Sequence, residues 1–351
     1  MGERILMKGN EALAEGAVRA GCRFFAGYPI TPQNEVPEYM SWRMAQVGGT
    51  FIQAESEVAA INMLFGASAC GARVMTSSSS PGISLKQEGI SYTASAELPI
   101  FYANVTRGGP GLGNIAPSQG DYYQATRGGG HGDYRVIVLA PNSVNDMGNF
   151  PKMCYDLAFK YRIPSMVLAD GVLGQMMEPL EFNFEPIDPK KLPEGEWALG
   201  NAEGRERKVV RSYDLKPGGM EKHNWKLDKK YKEIEEKEVL YQTFSVEDAD
   251  ILIVAFGTCS RIAKSVLGLG RSQKLKIGLL RPITLWPFPT KILNQLTSKI
   301  KKILVVEMNL GQMLDDVKIA VEGKAEIGFH GRPAGGIPTP EEILDRVKQM
   351  V

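Results

Sequence analysis

The sequence has 351 residues, with 41 basic and 40 acidic side chains and a formal charge of +1. A groove that tracks nucleic acid, or a surface that rests on anionic lipid, draws on an excess of Lys and Arg, so this balance argues against both. With 43% hydrophobic and 23% charged residues, the composition is that of a globular protein long enough for two cored domains.

The opening Met1-Gly2-Glu3-Arg4-Ile5-Leu6 lacks the apolar core of a secretion signal, and Leu6 stands where a myristoylation motif needs Ser or Thr. β-like runs then alternate with helical stretches: Phe24-Phe25-Ala26, Phe51-Ile52-Gln53, Val74-Met75-Thr76, Ile100–Val105, Val136–Ala140 and Ser165–Ala169, with helices predicted over Val58–Cys70 and Ser143–Tyr161. Such alternation predicts a parallel sheet covered by helices on both faces. Residues 186–246 carry 25 charged side chains in 61 positions, against 30 in the 185 before them, and open on the proline-rich run Pro186–Pro193. They read as a charged connector, in which Lys226–Glu238 is a short solvated helix. From 247 to 351 the α/β pattern resumes with Ile251–Phe256, Lys276–Leu280, Ile303–Val306 and Ala325–Phe329. It closes on a helix started by Thr339-Pro340-Glu341-Glu342. Ile251–Phe256 is the longest apolar run in this half, far short of the roughly 18 residues that span a bilayer. The expectation is a cytoplasmic α/β protein of three segments, 1–185, 186–246 and 247–351.

In a parallel α/β sheet the strand-to-helix loops emerge at one edge, so distant residues converge there. Four loops of the first segment qualify: Gly27–Pro32, Ala54–Glu57, Ser77–Gly82 and Thr106–Asn114. Each has a plain structural reading. Thr31-Pro32 reads as a helix start, the serines before Pro81-Gly82 as a capped turn, and Glu57 as a charge favoured by a helix dipole. Against the last, Val58, Ala59, Ala60, Ile61 and Met63 surround Glu57 with apolar groups, so a carboxylate in a dry pocket is also on the table. The stretch Gly109–Gly113 is no full dinucleotide fingerprint, because Pro110 interrupts it and the next helix is expected only near Pro117. Gly331–Gly336 reads as a connecting loop, and His131, in Gly128–Asp133, as an exposed ring or a pH-sensitive contact. Four scattered cysteines, no C-x-x-C and three histidines leave no ligand set for zinc or an iron–sulfur cluster.

Taken together, Gly27-Tyr28-Pro29-Ile30-Thr31-Pro32, Gln53–Ala60, Thr106–Pro110, Gly130–Asp133, Gly278–Pro289 and Val306–Gln312 resemble the alpha subunit of the 2-oxoacid:ferredoxin oxidoreductases over nearly the whole chain. The resemblance implies a thiamine-diphosphate pyrimidine-binding domain followed by a transketolase C-terminal-like domain. It implies that Glu57 holds the aminopyrimidine ring with Pro29 and Ile30 beside it, that Thr31 presents a hydroxyl to substrate, and that Arg107 fixes a 2-oxoacid carboxylate. The diphosphate signature Gly-Asp-Gly…Asn has no match: Ala169 precedes Asp170-Gly171, and Asn201 falls in the connector. The cofactor site would therefore be shared with a beta subunit, and magnesium and iron–sulfur clusters would sit on partners. Coenzyme A would be the acyl acceptor and ferredoxin the electron acceptor, with gamma and ferredoxin-like delta subunits as further chains, or an assembly that has no gamma subunit. Ser77–Ser84 and Pro29–Glu35 look most like the branched-chain type, which acts on 3-methyl-2-oxobutanoate; the 2-oxoglutarate type is the alternative. From another class, a stand-alone nucleotide-binding protein using the glycine loop after Val105, or a scaffold subunit without catalytic residues, stays open.

Overall fold

The computed structural model describes residues 4–193, 195–200 and 203–351, so Asn201 lies outside the described residues. The first segment runs β1 (Ile5–Lys8), α1 (Gly9–Arg19), β2 (Phe24–Gly27), α2 (Glu35–Gln46), β3 (Thr50–Gln53), α3 (Glu57–Ala69), β4 (Val74–Ser78), α4 (Pro81–Ser95), β5 (Phe101–Thr106), α5 (Tyr122–Arg127), β6 (Ile137–Leu139), α6 (Val144–Tyr161), β7 (Ser165–Asp170), α7 (Gly171–Gln175) and β8 (Met177–Leu180). The connector holds α8 (Gly219–Lys237). The last part comprises β9 (Tyr241–Phe244), β10 (Ile251–Ala255), α9 (Gly257–Ser272), β11 (Ile277–Pro282), β12 (Thr284–Trp286), α10 (Thr290–Leu296), β13 (Lys302–Glu307), α11 (Met313–Val321), β14 (Glu326–Gly331) and α12 (Pro340–Met350).

Two large sheets organise the molecule, in the orders β12-β6-β7-β5-β4-β2-β3 and β14-β13-β10-β11-β9. Both are parallel except at one edge, where β12 and β9 pair antiparallel. Along β5 the side chains alternate as a strand requires. Phe101 and Ala103 join the core under α1, α2 and α6, while Tyr102 joins the core under α3 and α4. The helices of the first face approach closely: a Cβ on Gly16 of α1 would lie 2.1 Å from the carbonyl oxygen of Gly148 in α6. In the last segment Thr339 starts α12 with a reciprocal capping box, accepting from the Glu342 N–H at 3.2 Å while Glu342 accepts from the Thr339 N–H at 2.9 Å.

Two features depart from the expected arrangement. First, β12, twenty-odd positions past β10, does not join the second sheet but extends the first, pairing Thr284 with Leu139. Second, α8 is not simply solvated. Its Leu227, Tyr231 and Ile234 are buried in the main core, and Tyr231 meets Trp286 edge-on with ring centroids 5.9 Å apart. Leu227, Tyr231 and Ile234 recur at helical spacing, and burying that stripe outweighs the charge of the other face.

Candidate functional site

The sheet order places a topological switch between β2 and β4, because β3 lies outside β2 while β4 and β5 continue on its other side. Crevices open at such switches, at the carboxyl edge of the strands. The loops after β2, β3, β4 and β5 all leave from that edge, and they carry Thr31, Glu57, Ser78–Gly82 and Arg107.

Glu57 is the first residue of α3, positioned by Ser56, whose extended backbone (φ −161°) and hydroxyl, accepting from the Ala59 N–H at 3.1 Å, cap the helix. The neighbouring Glu55 is exposed, but Glu57 is 6% exposed. Among the described residues no group donates a hydrogen bond to its carboxylate. Gly82, in the first turn of α4, faces it directly. A Cβ there would fall 2.7 Å from Glu57 Oε1 and 2.1 Å from Ser78 Oγ, so glycine is what lets the loop and the carboxylate meet. Around them the buried Ser78 and Ser79 hydroxyls, the Gln33 amide nitrogen and the Lys86 ammonium lack hydrogen-bond partners. An unpaired buried polar group costs on the order of 1–3 kcal/mol, so a cluster of them marks a place built to receive a polar ligand.

The loops are tied to one another by side chains. Ser77 donates to the Gln33 amide oxygen at 2.5 Å, joining β4 to the loop after β2. Ser80 has a positive φ of 27° and is held there on both sides: its N–H donates to Asn104 Oδ1 at 3.0 Å, and its Oγ accepts from the Arg107 N–H at 3.0 Å. Asn104 in turn donates to Asp121 at 2.8 Å. Burial raises the Asp121 carboxyl above its usual range, opposed by its bonds to Ser80 and Asn104. Arg107 is buried, and its guanidinium donates to the carbonyls of Thr31 and Leu112, both at 3.0 Å, leaving its Nε without a partner. Thr31 is exposed at the mouth of the crevice, where its Oγ accepts from Asn34 at 3.3 Å. It does not cap a helix: α2 starts at Glu35, with Asn34 at the cap position. Tyr28 and Pro29 are exposed and Ile30 is half-buried.

A seam with the last segment closes the far side. Gln119 exchanges hydrogen bonds with the backbone of Met308 at 3.0 and 2.9 Å, donates to the Phe256 carbonyl at 3.0 Å, and accepts from Asn309 at 2.9 Å through its own carbonyl. Glu307, fully buried, accepts from the N–H groups of Met313 and Leu314 at the start of α11. Burial pushes its carboxyl up to about 7. The glycine loop is no phosphate cradle: the Asn114 N–H bonds back to the Gly108 carbonyl at 2.9 Å, and α5 begins only at Tyr122, later than the Pro117 expected from the sequence. The Gly331–Gly336 turn packs on this loop, with Asn114 donating to the Ala334 carbonyl at 3.0 Å. His131 is exposed, and its carbonyl accepts from Ser91. Cys22, Cys154 and Cys259 are buried thiols, Cys70 is exposed, and no group of metal-ligating side chains occurs among the described residues. Nor is any described helix long and apolar enough to cross a membrane.

Residues 15–240 match the family model described as pyruvate flavodoxin/ferredoxin oxidoreductase, thiamine diphosphate-binding, and residues 249–343 match pyruvate:ferredoxin oxidoreductase core domain II. The chain belongs to this thiamine-dependent 2-oxoacid:ferredoxin oxidoreductase family. Among its relatives is the ketoisovalerate oxidoreductase subunit VorB of Methanothermobacter marburgensis, 46% identical over 98% of this chain and 97% of that one. The 2-oxoglutarate synthase subunit KorA of Methanocaldococcus jannaschii is 38% identical over 96% of this chain and 97% of that one. Of solved structures, the 2-oxoglutarate:ferredoxin oxidoreductase from Magnetococcus marinus, with 2-oxoglutarate, coenzyme A and succinyl-CoA bound, superposes with a TM-score of 0.88 at 28% identity, covering 99% of this chain and 65% of that chain. A split-gene transketolase shares the fold with a TM-score of 0.58 at 10% identity. As in these oxidoreductase relatives, which are subunits by name, the family acts through assembled subunits.

Sequence reasoning passed over Lys86, Gln33 and the Gln119 seam. Only Lys86 left a signal: it interrupts the buried stripe Gly82, Ile83, Gly89 and Ile90 of α4 at a position spaced for the core.

Proposed function

We propose that this chain supplies the aminopyrimidine half of a thiamine diphosphate site in an oxidoreductase that converts 3-methyl-2-oxobutanoate and coenzyme A to acyl-CoA and carbon dioxide, with two electrons passed to ferredoxin. The observation that carries the reading is Glu57, a buried carboxylate without a donor, facing Gly82 at the carboxyl edge of a parallel sheet. The residues fit the cofactor: a glycine that permits close approach, a carboxylate to accept from a ring nitrogen, and unpartnered hydroxyls on Ser78 and Ser79. What thiamine diphosphate supplies when bound is the nucleophilic carbon that attacks the keto group and permits loss of carbon dioxide. Glu57 would hold the pyrimidine ring by accepting a hydrogen bond from a ring nitrogen, and Pro29 and Ile30 would contribute to cofactor binding. Thr31 offers its hydroxyl proton at the mouth, and Arg107 presents its remaining donors to the substrate carboxylate.

An apolar rim supports a shared site. Tyr28, Val58, Leu85, Leu112 and Ile115 are all exposed, on or beside the loops that carry the polar residues. Singly such residues are unremarkable, but clustered around a polar crevice they fit the face of a beta subunit. In this reading the beta subunit brings the diphosphate and magnesium ligands, iron–sulfur clusters belong to partners, gamma and ferredoxin-like delta chains complete the assembly, and it works in the cytoplasm. The choice of acid follows the 46% identity to VorB over nearly full length, with 2-oxoglutarate as the second reading on the 38% identity to KorA. The test is co-expression with its partner genes and a substrate panel on the purified complex. Thiamine-dependent ferredoxin reduction fastest with 3-methyl-2-oxobutanoate is expected. Preference for 2-oxoglutarate would move the assignment to the second reading, and tight nucleotide binding by the chain with no thiamine-dependent turnover would end it.

A further inference from the structure

Behind Glu57 lies a second charge. Lys86 sits one helical turn after Gly82 on the same face of α4, the face that Gly82 turns toward the Glu57 carboxylate. It is fully buried, and its ammonium has no hydrogen-bond acceptor. Yet no ion pair within 4.0 Å joins the two. Glu57 is the charged group that acts on Lys86, favouring its protonated form, while burial disfavours that form and brings the ammonium down to about 8. The other ionisable groups near these loops are committed elsewhere: Asp121 to Asn104, and Arg107 to the Thr31 and Leu112 carbonyls. From the end of β4 and the loop after it, Ser78 and Ser79 present only neutral hydroxyls. A lysine buried this deeply is costly unless a nearby opposite charge offsets it.

We propose that Lys86 is a positioning residue for Glu57, a buried counter-charge set behind the carboxylate that balances its negative charge and leaves its oxygens free for the cofactor ring. An ammonium in direct contact would occupy those oxygens; one held a short distance back stabilises the charge without taking the hydrogen-bonding sites. The inference rests on the assignment of Glu57 to the cofactor.

The test uses the assembled complex carrying Lys86→Met, Lys86→Gln, Lys86→Arg or Glu57→Gln. The readouts are the pH dependence of thiamine diphosphate binding by calorimetry and the acid limb of kcat/KM. The neutral variants should move both acid limbs upward by about one pH unit or more, since an opposite charge is withdrawn from a carboxylate. Lys86→Arg should hold both limbs in place. Neutral variants that leave both limbs unmoved, or an arginine variant that behaves like the neutral ones, would overturn the inference. Should neither neutral variant assemble, thermal melting of Glu57→Gln/Lys86→Met against the two single variants decides. A double variant more stable than Glu57→Gln alone supports a charge couple, and additive losses refute it. If Glu57→Gln keeps full turnover, the cofactor assignment itself fails. If it loses turnover while the Lys86 variants leave the limbs unmoved, only this inference does.

Discussion

Arg107 donates to the carbonyl of Thr31 at 3.0 Å through one arm of its guanidinium and to that of Leu112 at 3.0 Å through the other. One side chain therefore fastens the loop after β2 to the loop after β5, and its own N–H rests on Ser80 of the loop after β4. Any part it takes in holding a substrate carboxylate is exercised from this braced position. Arg107→Ala leaves two carbonyls unpaired and should raise amide hydrogen exchange across residues 28–34 and 108–116, with kcat/KM of the complex falling by about a hundredfold. Arg107→Lys, a point donor that cannot span two loops, should recover little of either; full recovery by lysine would mean that charge alone matters.

Gly82→Ala separates the site from the scaffold. Alanine favours the helix by up to about 1 kcal/mol, so melting should change by a few degrees at most. But the new methyl meets Ser78 Oγ and Glu57 Oε1, both side-chain ends that can swing aside, and it would displace the carboxylate. Weaker thiamine diphosphate binding with unchanged stability is expected. A stable variant with wild-type cofactor affinity would show that Gly82 and Glu57 need not meet.

Glu307 gives stability a defined pH dependence. Burial pushes its folded carboxyl up to about 7, above the ordinary glutamate value near 4.5, so its contribution is fully present below about 4.5 and is lost as the pH rises through about 7. Denaturant melts of the chain from pH 4.5 to 7.5 should show this loss, and Glu307→Gln should flatten it. A Gln variant with the wild-type slope would place the titrating group elsewhere.

Strands β2 to β7, β10, β11, β13 and β14 and the four site loops were legible in the sequence because their signals are local: short β runs, turn residues at their ends, and a capping pattern such as Thr339–Glu342 that the structure reproduces. What escaped was set by contacts between elements separated in the chain. β12 reads as part of the last segment, yet it pairs with Leu139 of the first sheet. The Thr31-Pro32 pair reads as a helix start, but the chain turns there so that the Thr31 carbonyl meets Arg107, and α2 begins only at Glu35. Charge density predicted a solvated helix in the connector, whereas α8 buries Leu227, Tyr231 and Ile234 and anchors Lys230 to Glu97 at 3.0 Å. Glu57 was singled out by its apolar neighbours; Lys86, the charge behind it, belongs to another helix and became visible only once α3 and α4 were packed together.

The connector helix should accordingly be structural. Glu97 accepts from both Lys226 and Lys230, and these partners hold its carboxyl below the usual range against the effect of burial. Glu97→Gln should lower the melting temperature of the complex by several degrees while leaving kcat within about twofold. A large loss of kcat with unchanged melting would instead link the connector to catalysis.

The most direct test of a shared thiamine site is the thiamine-dependent turnover of the complex carrying Glu57→Gln. The amide keeps the shape of the side chain and removes its charge. A complex that assembles and melts like wild type but loses about a hundredfold or more in kcat is predicted; turnover within about tenfold of wild type would contradict the account.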